Sequence, residues 1–157
     1  MCGRFVLSLK NKIKLEYNVN IVPNYNITPG ENVLVIDNNS EVKRMKWGLT
    51  PNWSKTLNII NARIETLLDK PAFKGSLRCI FIANGYFEWK NENNFKQPYY
   101  HHLNDNLLYF AGIFNLNSGA CIVTVQSQEH ISHIHKRQPL ILKKEYINDW
   151  LLDKYDL

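Results

Sequence analysis

RCIFIANGYFEWK, residues 78–90, sets two short runs of β-branched and aromatic side chains on either side of one glycine. Residues 78–84 and 86–90 are too short for packed helices and have strand composition. The same signal recurs downstream in QPYYHHL (97–103), LLYFAGIF (107–114) and ACIVTV (120–125). NENN, NDN and NLNSG separate these runs, and Asn, Asp, Ser and Gly are the residues that turn a chain tightly. Short strands joined by short turns pair antiparallel with their neighbours. Upstream, NVLVID and EVKRMKWG flank the polar DNNS as a further hairpin, and CGRFVL reads as a short strand.

Helical patterns are few. SLKNKIKLEYNV (8–19) places Leu9, Ile13 and Tyr17 near one face, with Ser8 as its N-cap. NARIETLLDK (61–70) reads as a helix or helix start with Ile64, Leu67 and Leu68 inward, and EHISHIH as a short helix. PLILKKEYINDWLLDKY closes the chain as a short apolar segment and an amphipathic helix carrying Tyr146, Trp150 and Leu151. PNYNITPG (23–30) and the Trp- and Pro-rich WGLTPNW (47–53) are expected to be loops. The fold class is therefore α+β, a single β-rich domain over residues 1–157.

At 157 residues and 45% hydrophobic, the chain has the means to bury a core. Its three cysteines, Cys2, Cys79 and Cys121, have neither the number nor the spacing of a disulfide framework or a zinc site. Cys79 and Cys121 sit in apolar runs as small hydrophobes. No signal peptide and no membrane-length apolar run is present, so a cytoplasmic protein is expected. The net charge of +5 favours a polyanionic partner such as nucleic acid, although a basic surface without one has the same sign.

The chain opens MCGRF. Methionine aminopeptidases remove Met1 when the next residue is small, which leaves Cys2 with a free α-amine beside its thiol. Unperturbed, these titrate near ~8 and ~8.5, so both are partly nucleophilic at neutral pH. A 1,2-aminothiol condenses with an aldehyde: the amine forms an imine, and the thiol closes on the imine carbon as a five-membered thiazolidine, a tethered and therefore fast step. The alternative use is acyl transfer, with the thiol as nucleophile and the amine as base.

Other candidates are individually ambiguous. Glu88 lies between Phe87 and Trp89, where desolvation would raise its pKa toward an acid/base range, although strand alternation by itself turns it to solvent. His135, beside Lys136 and Arg137, suits proton transfer near an anion. His133 would share its face if the stretch is extended, but no third metal ligand stands at a recognisable spacing. Asn61 and Arg63 read either as an N-cap with a solvated Arg or as a polar anchor and a phosphate fork. Arg4 shares a strand face with Cys2. Trp47 reads as core, and Trp53 as an aromatic available to stack on a base.

In order along the chain, MCGRF, YNITPG, WGLTPNW, INARIET, RCIFIANGYFEWK and IHKRQPLIL closely resemble the SOS response-associated peptidase (SRAP) family over residues 2–142. The resemblance implies a barrel-like antiparallel sheet with a few flanking helices around a basic DNA channel. It implies binding of single-stranded DNA and capture of abasic sites, whose ring-opened sugar is an aldehyde, as a thiazolidine crosslink that shields the lesion. Cys2 matches the crosslinking nucleophile, Glu88 the acid/base, His135 the proton shuttle and Asn61 the group that holds the sugar. Arg4, Arg63 and Arg137 match phosphate contacts, Asn26 and Pro29 a loop lining the DNA, Trp53 a stacking residue and Thr124 a threonine beside the site. No cofactor or metal is implied, and a monomer associated with the nucleoid when on DNA is expected.

Two departures stand out: Ser54 occupies the place of a second tryptophan, and the chain stops soon after Trp150, so a more open channel is expected. Two other functions use the same residues, an N-terminal-nucleophile thiol peptidase or amidohydrolase and a non-catalytic single-strand-binding module.

Overall fold

The computed structural model describes residues 2–154. In chain order the elements are β1 (Phe5–Leu7), α1 (Lys10–Tyr17), β2 (Asn24–Ile27), β3 (Asn32–Ile36), β4 (Val42–Lys46), β5 (Asn61–Arg63), β6 (Leu77–Ala83), β7 (Gly85–Glu92), β8 (Phe95–His102), β9 (Leu108–Asn115) and β10 (Gly119–Gln126). There follow α2 (Glu129–Ser132), β11 (Arg137–Pro139), β12 (Ile141–Leu142) and α3 (Ile147–Leu151). No described helix is long and apolar enough to cross a membrane.

Two sheets form. The smaller has the order β2-β1-β7-β8, and the larger β11-β10-β9-β6-β3-β4, with β12 on β9 and β5 on β10. Among the described residues every strand-to-strand pairing is antiparallel except that of β5 with β10. The larger sheet is not a closed barrel. A single bridge from Trp47 to Ala120 brings the end of β4 back to β10 and gives the sheet a barrel-like curl. Gly119 makes that approach possible. Its φ is +90°, and a Cβ there would lie 2.2 Å from the Gly48 carbonyl oxygen.

The stretch at 78–90 changes sheets at Asn84. β6 pairs along its length with β9, whereas β7 leaves to pair with β8 and β1. Asn84 fixes the crossing, because its backbone N–H donates to Val6 O at 2.8 Å and its side-chain oxygen accepts from Ser8 N–H at 2.7 Å. Phe5 then locks the two sheets together. From β1 it reaches Trp47 (5.0 Å between centroids), Phe110 (6.0 Å) and Phe81 (6.4 Å), mostly edge-on, in the middle of the buried cluster.

Local expectations fail where short polar segments are captured by distant partners. Residues 24–27 are strand β2 rather than loop, because β1 supplies a pairing edge. Residues 61–63 are strand β5 in parallel register with Ile122–Thr124, and only a 3-10 turn at Ile64–Thr66 follows, with Leu67 buried and Leu68 75% exposed. Leu9, not Ser8, stands at the N-cap of α1, since Ser8 is bonded to Asn84. His133 ends α2 in helical conformation, so it and His135 do not share an extended face. At the C-terminal end, Trp150 is buried and its indole N–H donates to Cys79 O (3.0 Å), while Tyr146 precedes α3 and is exposed. The expected last helix ends with α3, and Tyr155, the end of that reading, lies outside the described residues.

Candidate active site

Phe5 being pinned between sheets, the residues just before it are held too. Antiparallel pairing of Phe5 with Tyr86 means that the chain running back toward Cys2 lies against β7 running on toward Glu88. The Phe87 N–H donates to Arg4 O at 2.9 Å. Cys2 is completely buried, and its thiol is pushed well above the usual range by burial and then by the Glu88 charge, with the Arg4 N–H opposing. Glu88 is itself buried, and burial moves its carboxyl up to about 6. The expectation from strand alternation that it faces solvent is therefore corrected: Tyr86 and Glu88 are the inward positions of β7, with Phe87 and Trp89 less covered.

Asn61 reaches the same point from the other sheet. Because β5 is a strand, Asn61 and Arg63 share a face while Ala62 is buried on the other. The Asn61 amide donates to Cys2 O (3.1 Å) and Ile60 O (2.9 Å), and its buried oxygen has no protein partner among the described residues. Arg63 is exposed.

His135 closes the recess opposite Glu88. Glu88, His135, Arg137, Tyr86 and His101 line a narrow cleft too tight in this structure to hold a water molecule. The Arg137 backbone N–H lies 3.0 Å from His135 Nδ1 and donates to it when that nitrogen carries no proton. Arg137 O lies 3.1 Å from the same nitrogen and accepts when the ring is protonated, so the imidazole is held in both states. Burial keeps its pKa below the ordinary histidine value. Arg137 is fixed in turn: its guanidinium donates to Thr124 O (2.6 Å) and, with both terminal nitrogens, to Glu65 (2.7 and 3.0 Å), whose carboxyl it holds low. The buried Thr124 hydroxyl is 3.3 Å from the same guanidinium.

Around this centre, Arg4 donates to Asn26 Oδ1 (2.7 Å) and lies over the Trp89 ring (5.8 Å). Pro29 is half-buried in a turn that Glu31 staples by accepting from the Thr28 N–H (2.7 Å) and hydroxyl (2.8 Å). Trp53 stands apart, 65% exposed on the loop between Leu49 and Ile59. Met1, whose removal the aminothiol chemistry requires, lies outside the described residues. No described cluster of His, Cys, Asp and Glu has the makings of a metal site. Glu65 was not singled out from sequence, although it sits in the INARIET motif with the Arg partner named elsewhere in the chain.

A buried thiol beside a carboxyl titrating near neutrality, an amide on the cysteine carbonyl and an imidazole across a narrow recess form an arrangement for proton-assisted addition to a small electrophile. Comparisons with known proteins agree in outline. The family model described as "SOS response associated peptidase (SRAP)" matches residues 1–156. The abasic site processing protein YoqW of Bacillus phage SPbeta is 36% identical over 98% of this chain and 81% of its own. YedK of Escherichia coli, described in the same words, is 31% identical over 96% of this chain and 79% of its own. A crystal structure of a Bacteroides thetaiotaomicron protein superposes with a TM-score of 0.80 at 25% identity, covering 96% of this chain and 81% of that one.

Proposed function

The chain belongs to the SOS response associated peptidase family, and from that premise we propose that it processes abasic sites in single-stranded DNA by covalent capture through Cys2. The observation that carries this reading is the seating of Cys2: fully buried, with Asn61 on its carbonyl at 3.1 Å and the Glu88 charge acting on its thiol. Its relatives' name as abasic site processing proteins supplies the substrate, an aldehyde in its ring-opened form.

Once Met1 is removed, the Cys2 α-amine attacks the C1′ aldehyde carbon. The carbinolamine loses water to give an imine, and sulfur then adds to the imine carbon while its proton passes to the imine nitrogen. One water leaves, one C–N and one C–S bond form, and no redox change occurs. Glu88, titrating near 6, is suited both to accept the sulfur's proton and to return it to nitrogen. His135 is suited to move protons at the sugar oxygens, and the open Asn61 oxygen to accept from a sugar hydroxyl or the linked N–H. In this reading Arg4, Arg63 and Arg137 contact the phosphates, and Asn26, Pro29 and Thr124 lie beside the strand. The protein acts as a monomer on one DNA strand.

The same geometry weighs against the thiol peptidase reading. Acyl transfer needs a thiolate, and burial together with the Glu88 charge disfavours one. An imine is electrophilic enough for addition with concerted proton transfer. Methionine-processed protein incubated with abasic single-stranded DNA should give a heat-stable crosslink that Cys2→Ser abolishes. An undiminished crosslink in Cys2→Ser, or turnover of amide substrates without one, would overturn the reading.

A further inference from the structure

The cleft that holds Glu88 and His135 shares a wall with a larger cavity. That cavity, of about 420 Å3, lies between the end of β8, α2 and β12, and His101, His102 and His130 are among its lining residues. Among the described residues four side chains border both spaces: Tyr86, His101, Ile131 and Gln138. Ile131 has no polar group. The Gln138 side-chain oxygen accepts from the Gln128 N–H at 2.9 Å, and an amide does not titrate near neutrality. Burial pushes the Tyr86 hydroxyl far above neutral pH, and the charges of Cys2 and Glu88 push the same way. His101 is the one member of this shared wall that gains and loses a proton in the physiological range.

Strand register puts His101 on the same face as Glu88. β7 and β8 pair Tyr86 with His101 and Glu88 with Tyr99, so His101 and Glu88 are diagonal neighbours on the inward side, a separation that long side chains span. The half-buried imidazole lies flat on the Tyr86 ring, with 4.7 Å between centroids and 15° between planes. The titratable and charged groups facing it are Tyr86 and Glu88 on β7, His130 on α2, and His135 and Arg137 across the cleft. Burial, and then the His130 charge, hold its pKa below the ordinary histidine value. At neutral pH it is therefore an uncharged imidazole able to accept a proton.

The proposed reaction needs such a group. Below ~8 the Cys2 α-amine enters as an ammonium. Ammonium, aldehyde and thiol then give a neutral thiazolidine, one water and one proton, and that proton has to leave. Glu88 is placed to take it, but the cleft around Glu88 is too tight for water to carry it away. His135 lines the cleft alone, and its Nδ1 is engaged by the Arg137 backbone. We infer that His101 is a proton relay, which takes the proton released by capture from Glu88 and passes it to the outer cavity. It touches no reacting atom and acts through Glu88, and the inference rests on the function proposed above.

The test is the rate at which the Met1-processed full chain crosslinks a single-stranded oligonucleotide bearing one abasic site at neutral pH. His101→Ala should slow capture about tenfold, less than a directly acting acid–base group contributes. Added imidazole should restore the rate in proportion to its concentration. Pyrazole, which has the same shape but is not protonated near neutrality, should not. His101→Phe keeps a ring on Tyr86, so it should be as slow as the Ala variant and respond to neither compound, and wild type should be insensitive to both. Capture by His101→Phe at the wild-type rate would overturn the inference. So would equal restoration of the Ala variant by pyrazole, which would mark a packing role, or an Ala variant that imidazole leaves slow. Damage to the fold cannot mimic the expected result, because a disrupted cleft has no reason to distinguish imidazole from pyrazole. A wild type that forms no crosslink sinks the proposed function and the relay with it; a wild type matched by its His101 variants sinks the relay alone.

Discussion

Burial keeps the Cys2 thiol protonated, and the carboxyl beside it loses its own proton near pH 6. This pair sets the pH behaviour expected of the reaction. Crosslinking should rise in two steps, first as Glu88 ionises and becomes able to accept the thiol proton, then as the α-amine deprotonates near ~8. Glu88→Gln should slow capture and remove the lower inflection from the pH–rate profile while the upper one stays; a lower inflection that survives would assign it to another group. The same carboxyl has a cost to stability. Its folded pKa lies above that of an unfolded glutamate, so stability is greatest at low pH and falls as pH rises between the two values. Above that window the loss is of order 2 kcal/mol. The Glu88→Gln protein should therefore melt higher than wild type at neutral pH, with the gap narrowing in acid, as is common where a strained group serves function.

At the level of elements, the informative case is β5. NARIET carries residues that suit a helix start, and nothing local marks it as a strand. Its conformation comes from parallel pairing to Ile122–Thr124, about sixty residues away in sequence. That pairing aims the Asn61 amide at Cys2 instead of at a helix N-terminus. Asn61→Ala should slow crosslinking several-fold while leaving the affinity for unmodified DNA unchanged. A parallel loss of affinity would show that the residue serves only the fold of β5. The long strands β6 to β10 were legible because each carries its own β-branched and aromatic signal. β2 was not, since Asn-Tyr-Asn next to Thr-Pro-Gly has turn chemistry and becomes strand only against β1. Glu88 was legible as a candidate but not in its orientation: alternation with Phe87 and Trp89 turns it to solvent, and only the packing of Tyr86 against Phe110 (5.8 Å) shows that its face is the inward one.

Across the whole molecule, the site depends on two sheets being held in one relation. Cys2, Arg4 and Glu88 come with the smaller sheet, and Asn61, Thr124 and Arg137 with the larger. Phe5 joins them through Trp47, Phe81 and Phe110. Phe5→Ala should cost about 3–5 kcal/mol of stability, the usual range for a buried phenylalanine. Crosslinking should fall along with it, even at temperatures where the variant is folded, because Cys2 loses its anchor three residues away. A variant that is destabilised yet crosslinks at the wild-type rate would show that Cys2 is positioned by Asn61 and Glu88 alone.

The most direct test of the central claim is the intact mass of the purified chain, alone and after incubation with a single-stranded oligonucleotide bearing one abasic site. The expected result is a protein lacking Met1 that shifts by the mass of the oligonucleotide less one water, with no such shift for an intact strand or for Cys2→Ser. A processed chain that leaves abasic DNA unmodified, or one that gains the same mass without Cys2, would contradict it.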